Sequence, residues 1–192
     1  MLKAELRKIY LQKRKALSDD EAFLLSKSIF ENFISYFKPL PGQKVHLFIP
    51  IQKFREIDTS LFIDYFLSHY IRVFVPKIAE ASLISVEIFT DTEFELNGWG
   101  ISEPVSSKDS EIVDFDYVIT PLLYCDKRGN RVGYGKGFYD GFFGNLPEKS
   151  KKIGVNYFNP NENIDDVWEF DIPLDYLVTP TDVLSFLSKG LE

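Results

Sequence analysis

The residues best suited to chemistry lie in one stretch, Asp-Lys-Arg-Gly-Asn-Arg-Val-Gly-Tyr-Gly-Lys-Gly-Phe-Tyr-Asp, running from Asp126 to Asp140. Glycines at 133, 135 and 137 let the backbone approach a ligand closely and adopt positive φ. Successive exposed N–H groups in such a loop cradle phosphate oxygens. Lys127, Arg128, Arg131 and Lys136 gather cations in a chain whose formal net charge is -7. Two common phosphate motifs are excluded. A Walker loop needs GxxxxGK[ST], but Asn130 stands at its first glycine and Gly137 follows Lys136. A dinucleotide fingerprint needs GxGxxG, but Phe138 takes the third glycine position. Composition alone fits a flexible surface hairpin equally well. Tyr134, Phe138 and Tyr139 argue against that, because large aromatic rings are poor choices for a mere linker.

Other candidates are scattered. On a helix turning about 100° per residue, Lys3, Arg7, Tyr10 and Arg14 fall within roughly 60° of one another. Leu2, Leu6 and Ile9 lie beside this stripe, so its basic groups either flank the packed face or form a solvated one. Glu56 sits in a loop, where a carboxylate is ordinarily a surface charge. Trp99 lies between Gly98 and Gly100, either as an exposed ring or as a core tryptophan covering a turn. His46 and Cys125 read as structural.

These residues need elements to position them. Helical spacing covers Leu2 to Leu17, and Ser18-Asp19-Asp20-Glu21 is a capping box that starts a second helix, ended by Pro39. Strands are expected at Lys44–Pro50, at Ile71–Val75 with Pro76 as its stop, at Leu83–Phe89, and at Asp116–Thr120 before Pro121. Thr59–His69 reads as a helix, Asn97-Gly98 as a turn, and a short helix is expected near Tyr139. Ile153–Tyr157 and Tyr176–Thr179 read as strands, and Thr181–Ser188 as a closing helix. Alternating strands and helices imply an α/β fold, one compact domain over residues 1–192, with a mostly parallel sheet covered by helices on both faces. Ligands of such sheets bind beyond the carboxyl ends of strands, where the residues after Pro50 and Pro121 lie.

The bulk composition narrows the class. Hydrophobic residues at 45% and charged residues at 27% indicate a soluble globular chain. An acidic balance lacks the basic footprint of broad nucleic-acid binding, so no nucleic-acid partner is expected. No apolar run approaches the roughly 20 residues that span a bilayer, so no membrane partner is expected. One cysteine and two histidines build neither a disulfide framework nor a typical zinc site. A monomer in a reducing cytoplasm is the expectation.

The run from Gly133 to Asp140 resembles the signature loop of the 5-formyltetrahydrofolate cyclo-ligases, or methenyltetrahydrofolate synthetases. That loop commonly reads Gly-Arg/Tyr-Gly-x-Gly-Tyr-Tyr-Asp after a Pro-Leu-Leu strand end and an Asp-x-x-Gly turn. Here Pro121-Leu122-Leu123 and Asp126-Lys127-Arg128-Gly129 take those places. The likeness extends to Lys3–Arg7, Glu56–Thr59, Gly100–Pro104 and Thr179-Pro180. It implies a compact α/β enzyme that uses ATP with Mg²⁺ to convert 5-formyltetrahydrofolate to 5,10-methenyltetrahydrofolate. It implies that ATP phosphorylates the formyl oxygen, that N10 closes the ring and that phosphate leaves. By the resemblance, Lys3 and Arg7 contact ATP, as do Arg131 and the loop residues Gly133, Tyr134, Gly135, Lys136, Gly137, Phe138 and Tyr139. Glu56, Trp99 and Tyr139 take the reduced folate. Lys136 and Asp140 are the catalytic candidates. Asp140 suits Mg²⁺, a hard cation that prefers carboxylate, or serves instead as the N-cap of the short helix. Arg14 matches less securely and is left outside the site. Phe138 replaces the first of two family tyrosines, and Tyr134 stands where some members carry Arg.

Overall fold

The computed structural model describes residues 1–79, 82–98 and 100–187. The chain opens with helices α1 (Lys3–Lys15) and α2 (Asp19–Phe37). The capping box forms as expected: Glu21 N–H donates to Ser18 Oγ at 3.2 Å and Ser18 N–H to Glu21 Oε2 at 2.7 Å. These bonds satisfy donors that a helix start otherwise leaves open. Strand β1 (Lys44–Leu47) follows, then a 3-10 turn at Gln52–Phe54, helix α3 (Ser60–Ser68), and strands β2 (Arg72–Ala79) and β3 (Ser82–Ile88). Two small hairpins come next: β4 (Phe94–Leu96) with β5 (Ser102–Pro104), and, after strand β6 (Tyr117–Pro121), β7 (Tyr124–Cys125) with β8 (Arg131–Val132). Helix α4 (Phe138–Phe143) and strands β9 (Lys151–Val155), β10 (Tyr176–Val178) and β11 (Val183–Ser185) close the described chain.

Seven strands form one sheet in the order β11-β10-β9-β6-β1-β2-β3. The five central strands pair parallel, and β3 and β11 flank them antiparallel. Strand alternation divides the core. Val45, Leu47, Val73, Ile119 and Ile153 pack with Phe33 of α2 and with Phe62 and Phe66 of α3. Phe74, Val118 and Leu177 pack on the opposite face with Phe143 of α4. Helices therefore cover both faces of a mostly parallel sheet, as expected. None of the described helices is long and apolar enough to cross a membrane.

Three local expectations are corrected. Residues 183–185 form a strand, not part of a closing helix. Val183 packs into the α2–α3 core while Leu184 and Phe186 pack into the α4 core, a period of two. Residues 188–192 lie outside the described part. Pro76 does not stop β2, which continues to Ala79. Proline lacks an N–H, but pairing with β1 has already ended at Phe74, and its β3 partner Ser85 turns its own N–H to Asp109 and its carbonyl to Ser110. No ladder bond needs the missing donor. β1 ends at Leu47, short of the expected Pro50.

Candidate functional site

β1 and β6 run side by side, with Leu47 opposite Ile119, so the loops leaving their carboxyl ends converge. One carries Glu56 and the other leads into the glycine loop. α1 lies across the base of that loop, packing Leu6 and Tyr10 against Leu123, Tyr124 and Val132. This packing delivers the basic stripe of α1 to the loop.

Arg7 is the clearest case. Its Nε donates to the Gly133 carbonyl at 2.9 Å. Gly135 has φ 85°, and a Cβ there would stand 3.4 Å from Arg7 Nη2. The glycine is needed for the left-handed backbone, while a Cβ there would only touch the Arg7 guanidinium. Gly137, with φ 71°, is the N-cap of α4, and Lys136 is exposed between the two glycines. Asp140 is therefore the third residue of α4 and not its cap, which removes the capping alternative. An acid there still favours the helix start electrostatically.

Lys3 and Asp140 meet a segment that the sequence did not single out. The Lys3 ammonium pairs with Asp171, and its backbone N–H donates to Asp166 at 2.7 Å. Asp171 also accepts from the Trp168 N–H at 2.6 Å. The neighbouring Ile172 N–H donates to Asp140 Oδ1 at 3.3 Å, and Arg131 Nη2 donates to the same oxygen at 2.7 Å. Arg131 is buried, donates its Nη1 to the Ile172 carbonyl, and lies 4.6 Å over the Phe143 ring. Its guanidinium thus braces α4 against residues 171–172. The Lys3–Asp171 pair and the Arg131–Asp140 pair are thus linked through the adjacent residues Asp171 and Ile172.

The second half of the site surrounds Glu56, which is buried where a loop carboxylate is ordinarily solvated. Its Oε2 accepts from the Ile51 N–H at 2.8 Å and its Oε1 from the Tyr134 hydroxyl at 2.7 Å. The Tyr134 ring stacks on Phe54, centroids 4.9 Å apart. Burial pushes the Glu56 carboxyl above its ordinary range, opposed by these two hydrogen bonds and by the charge of Arg14. The Tyr139 hydroxyl is buried without a hydrogen-bond partner, and burial together with the Glu56 charge pushes its pKa up. An unsatisfied buried hydroxyl costs on the order of 1–3 kcal/mol, a cost that a polar atom of a ligand would remove.

The structure thus brings together Lys3, Arg7, Arg131, Asp140 and the loop from Gly133 to Tyr139, with Glu56 reached through Tyr134. Tyr134, assigned with the nucleotide residues, turns its hydroxyl onto Glu56. Trp99 lies outside the described residues. Asp171 and Phe54, which also border this cluster, were not singled out by the sequence; Arg14, placed on the Lys3–Arg7 stripe but left outside the site, borders it too. No group of three metal-ligating side chains exists among the described residues; Asp140 is paired with Arg131 and Asp171 with Lys3. A separate cleft of about 580 Å³ on the α3 side, lined by Ile49, Ile63, Leu67 and Ile88, shares no residue with this cluster.

The profile of the 5-formyltetrahydrofolate cyclo-ligase family matches residues 1–180. The 5-formyltetrahydrofolate cyclo-ligase of Mycoplasma pneumoniae is 31% identical over 185 residues, covering 93% of this chain and 98% of that one. The Escherichia coli cyclo-ligase is 27% identical over 179 residues, covering 90% and 97%. The solution structure of 5,10-methenyltetrahydrofolate synthetase from Aquifex aeolicus superposes with a TM-score of 0.83 at 32% identity, over 100% of this chain and 97% of that one. With the glycine loop, the basic helix and the buried glutamate in one cluster, this chain belongs to the 5-formyltetrahydrofolate cyclo-ligase family of enzymes.

Proposed function

We propose that the whole chain is one cyclo-ligase domain that converts 5-formyltetrahydrofolate to 5,10-methenyltetrahydrofolate at the expense of ATP. The observation that carries this reading is the double engagement of one loop. Its glycine backbone wraps Arg7, and its aromatic side chains reach Glu56. A phosphoryl donor held at the first and a folate held at the second share a wall, as in-line transfer requires.

A formyl group on N5 resists attack because the nitrogen donates into its carbonyl. Transfer of the γ-phosphoryl of ATP to the formyl oxygen breaks the phosphoanhydride bond, releases ADP and makes that oxygen a leaving group. N10 then bonds to the formyl carbon and gives up its proton, and phosphate departs with the oxygen. The residues bind and orient. Lys3, Arg7 and Lys136 supply positive charge to the phosphates, and the N–H groups of Gly133 to Gly137 line the phosphate cradle. Glu56 accepts hydrogen bonds from the pterin, and the Tyr139 hydroxyl donates to a ligand atom beside it. Asp140 and Asp171, hard carboxylate donors, would hold Mg²⁺, which would supply charge neutralisation to the transferring phosphoryl. A cytoplasmic location belongs to the same reading, supported by a lone buried thiol that has no disulfide partner.

Purified protein with ATP and Mg²⁺ is expected to form the methenyl product, followed by its absorbance, with one ADP per product. Folded protein that hydrolyses ATP indifferently to reduced folate would point instead to a phosphotransferase of another substrate. ATP binding without turnover would point to a nucleotide-sensing module.

A further inference from the structure

Arg14 is a buried cation that this mechanism leaves unused. Its side chain is 1% exposed, and a guanidinium stays protonated in proteins. Taking such a charge out of water costs several kcal/mol unless partners compensate. No carboxylate among the described residues touches it directly. Nη2 donates to the Leu122 carbonyl, Nη1 to the Tyr134 hydroxyl at 3.3 Å, and the guanidinium carbon lies 5.8 Å from the Tyr157 ring centroid. The compensating anion is one step away, because the same Tyr134 hydroxyl donates to Glu56 Oε1 at 2.7 Å. Arg14, Tyr134 and Glu56 are therefore an ion pair bridged by a phenol. A hydroxyl that accepts from a cation donates more strongly to an anion. The phenol ring is stacked on Phe54, which favours this orientation.

We propose that Arg14 is a positioning residue for the reduced-folate site: acting through the Tyr134 hydroxyl, it fixes the orientation and charge of the Glu56 carboxylate. This rests on the reading of Glu56 as a folate residue. It predicts that damage to Arg14 falls on the folate and spares the nucleotide, although Arg14 shares its helix with Lys3 and Arg7. The groups facing Glu56 are Arg14 from α1, Tyr134 from the glycine loop, Tyr139 from α4, Tyr157 after β9, whose hydroxyl donates to the Glu56 carbonyl at 3.2 Å, and the Ile51 N–H. Arg14 is the cation among them, so its loss leaves the burial of Glu56 less opposed.

The test compares Arg14→Met, Arg14→Lys, Tyr134→Phe and the Arg14→Met/Tyr134→Phe double variant. Each single loss is expected to raise the KM for 5-formyltetrahydrofolate about tenfold while the KM for ATP stays within about twofold, since one charge-assisted bond is at stake. Because both act through one hydroxyl, the double variant is expected to lose no more than the worse single one. The acid limb of kcat/KM for the folate is expected to move up by about one pH unit in Arg14→Met and to return part of the way in Arg14→Lys. Losses that multiply, a KM for ATP that rises equally, or an unmoved acid limb in protein of normal melting temperature would overturn the proposal. Should Arg14→Met fail to fold, Tyr134→Phe keeps the cation and its bond to Leu122, and the same folate-only loss is then required of it. A carbon-13 titration of the Glu56 carboxyl in wild type and Tyr134→Phe reads the coupling without turnover. If the wild type converts no folate, the cyclo-ligase reading fails, and an unchanged Glu56 titration would separately sink the role of Arg14.

Discussion

At the scale of single residues, Asp140 carries two duties. Its Oδ1 is the carboxylate partner of the buried Arg131 and accepts the Ile172 N–H. Asn keeps the size of Asp but gives Arg131 only a neutral acceptor. Asp140→Asn is therefore expected to destabilise by about 1–3 kcal/mol, since a buried charge loses its counterion. It is also expected to lower turnover steeply. A magnesium titration separates the two effects. If Asp140 helps hold the metal, excess Mg²⁺ recovers part of the turnover while the melting temperature stays down. Turnover that only tracks melting temperature would leave Asp140 as a brace for α4.

At the scale of elements, the proposed nucleotide site depends on the contact of α1 with the glycine loop. Lys3 is paired with Asp171 and Arg7 donates to the Gly133 carbonyl, so both side chains are held in place beside the loop. Replacing both with Ala is expected to raise the KM for ATP by at least tenfold and to leave the affinity for reduced folate near normal. Each charge-assisted bond is worth on the order of 1.5–3 kcal/mol. Equal ATP dependence in the double variant, measured as initial rates against ATP at saturating folate, would return the α1 stripe to a solvated face. Leu6 and Tyr10 hold the helix on its neighbours, so the substitution is expected to leave the fold intact.

At the scale of the molecule, the sheet has a titratable weak point. His46 is fully buried on the α4 face of β1, between Phe115 and Phe142, and neither ring nitrogen has a hydrogen-bond partner. Burial holds its pKa down to about 3, from an ordinary 6.5. Between those values the unfolded chain binds a proton that the native state refuses, so stability falls as pH drops below 6.5. The slope reaches about 1.4 kcal/mol per pH unit, or about 2 kcal/mol from pH 6.5 to 5. Glu56 has the opposite sign: its raised pKa favours the native state at low pH and loses that contribution as pH rises from its unfolded value of 4.5 through the folded one. His46→Phe removes the first effect and keeps the second. Urea unfolding at pH 7 and pH 5 is expected to show a smaller acid loss in the variant. An identical loss would mean that His46 does not set the acid sensitivity.

The sequence by itself determined what depends on neighbours along the chain. The Ser18–Glu21 box, the alternating strands and the glycine loop act through local geometry, and the order of motifs from Lys3 to Pro180 carried the family. The α/β fold followed from periodicity, because strands and helices bury different faces. The tertiary structure decided what distant residues do to one another. Residues 183–185 are a strand because β10 offers an unpaired edge and the two cores lie on opposite sides of it, which a short apolar segment cannot announce. Asp171 reaches Lys3 across 168 positions, and Tyr134 reaches Glu56 across 78. Arg14 sits on the stripe of Lys3 and Arg7, yet burial makes it a buried partner of Tyr134 rather than a surface cation. Charge, orientation and protonation at this site come from desolvation, and desolvation is a property of the packed molecule.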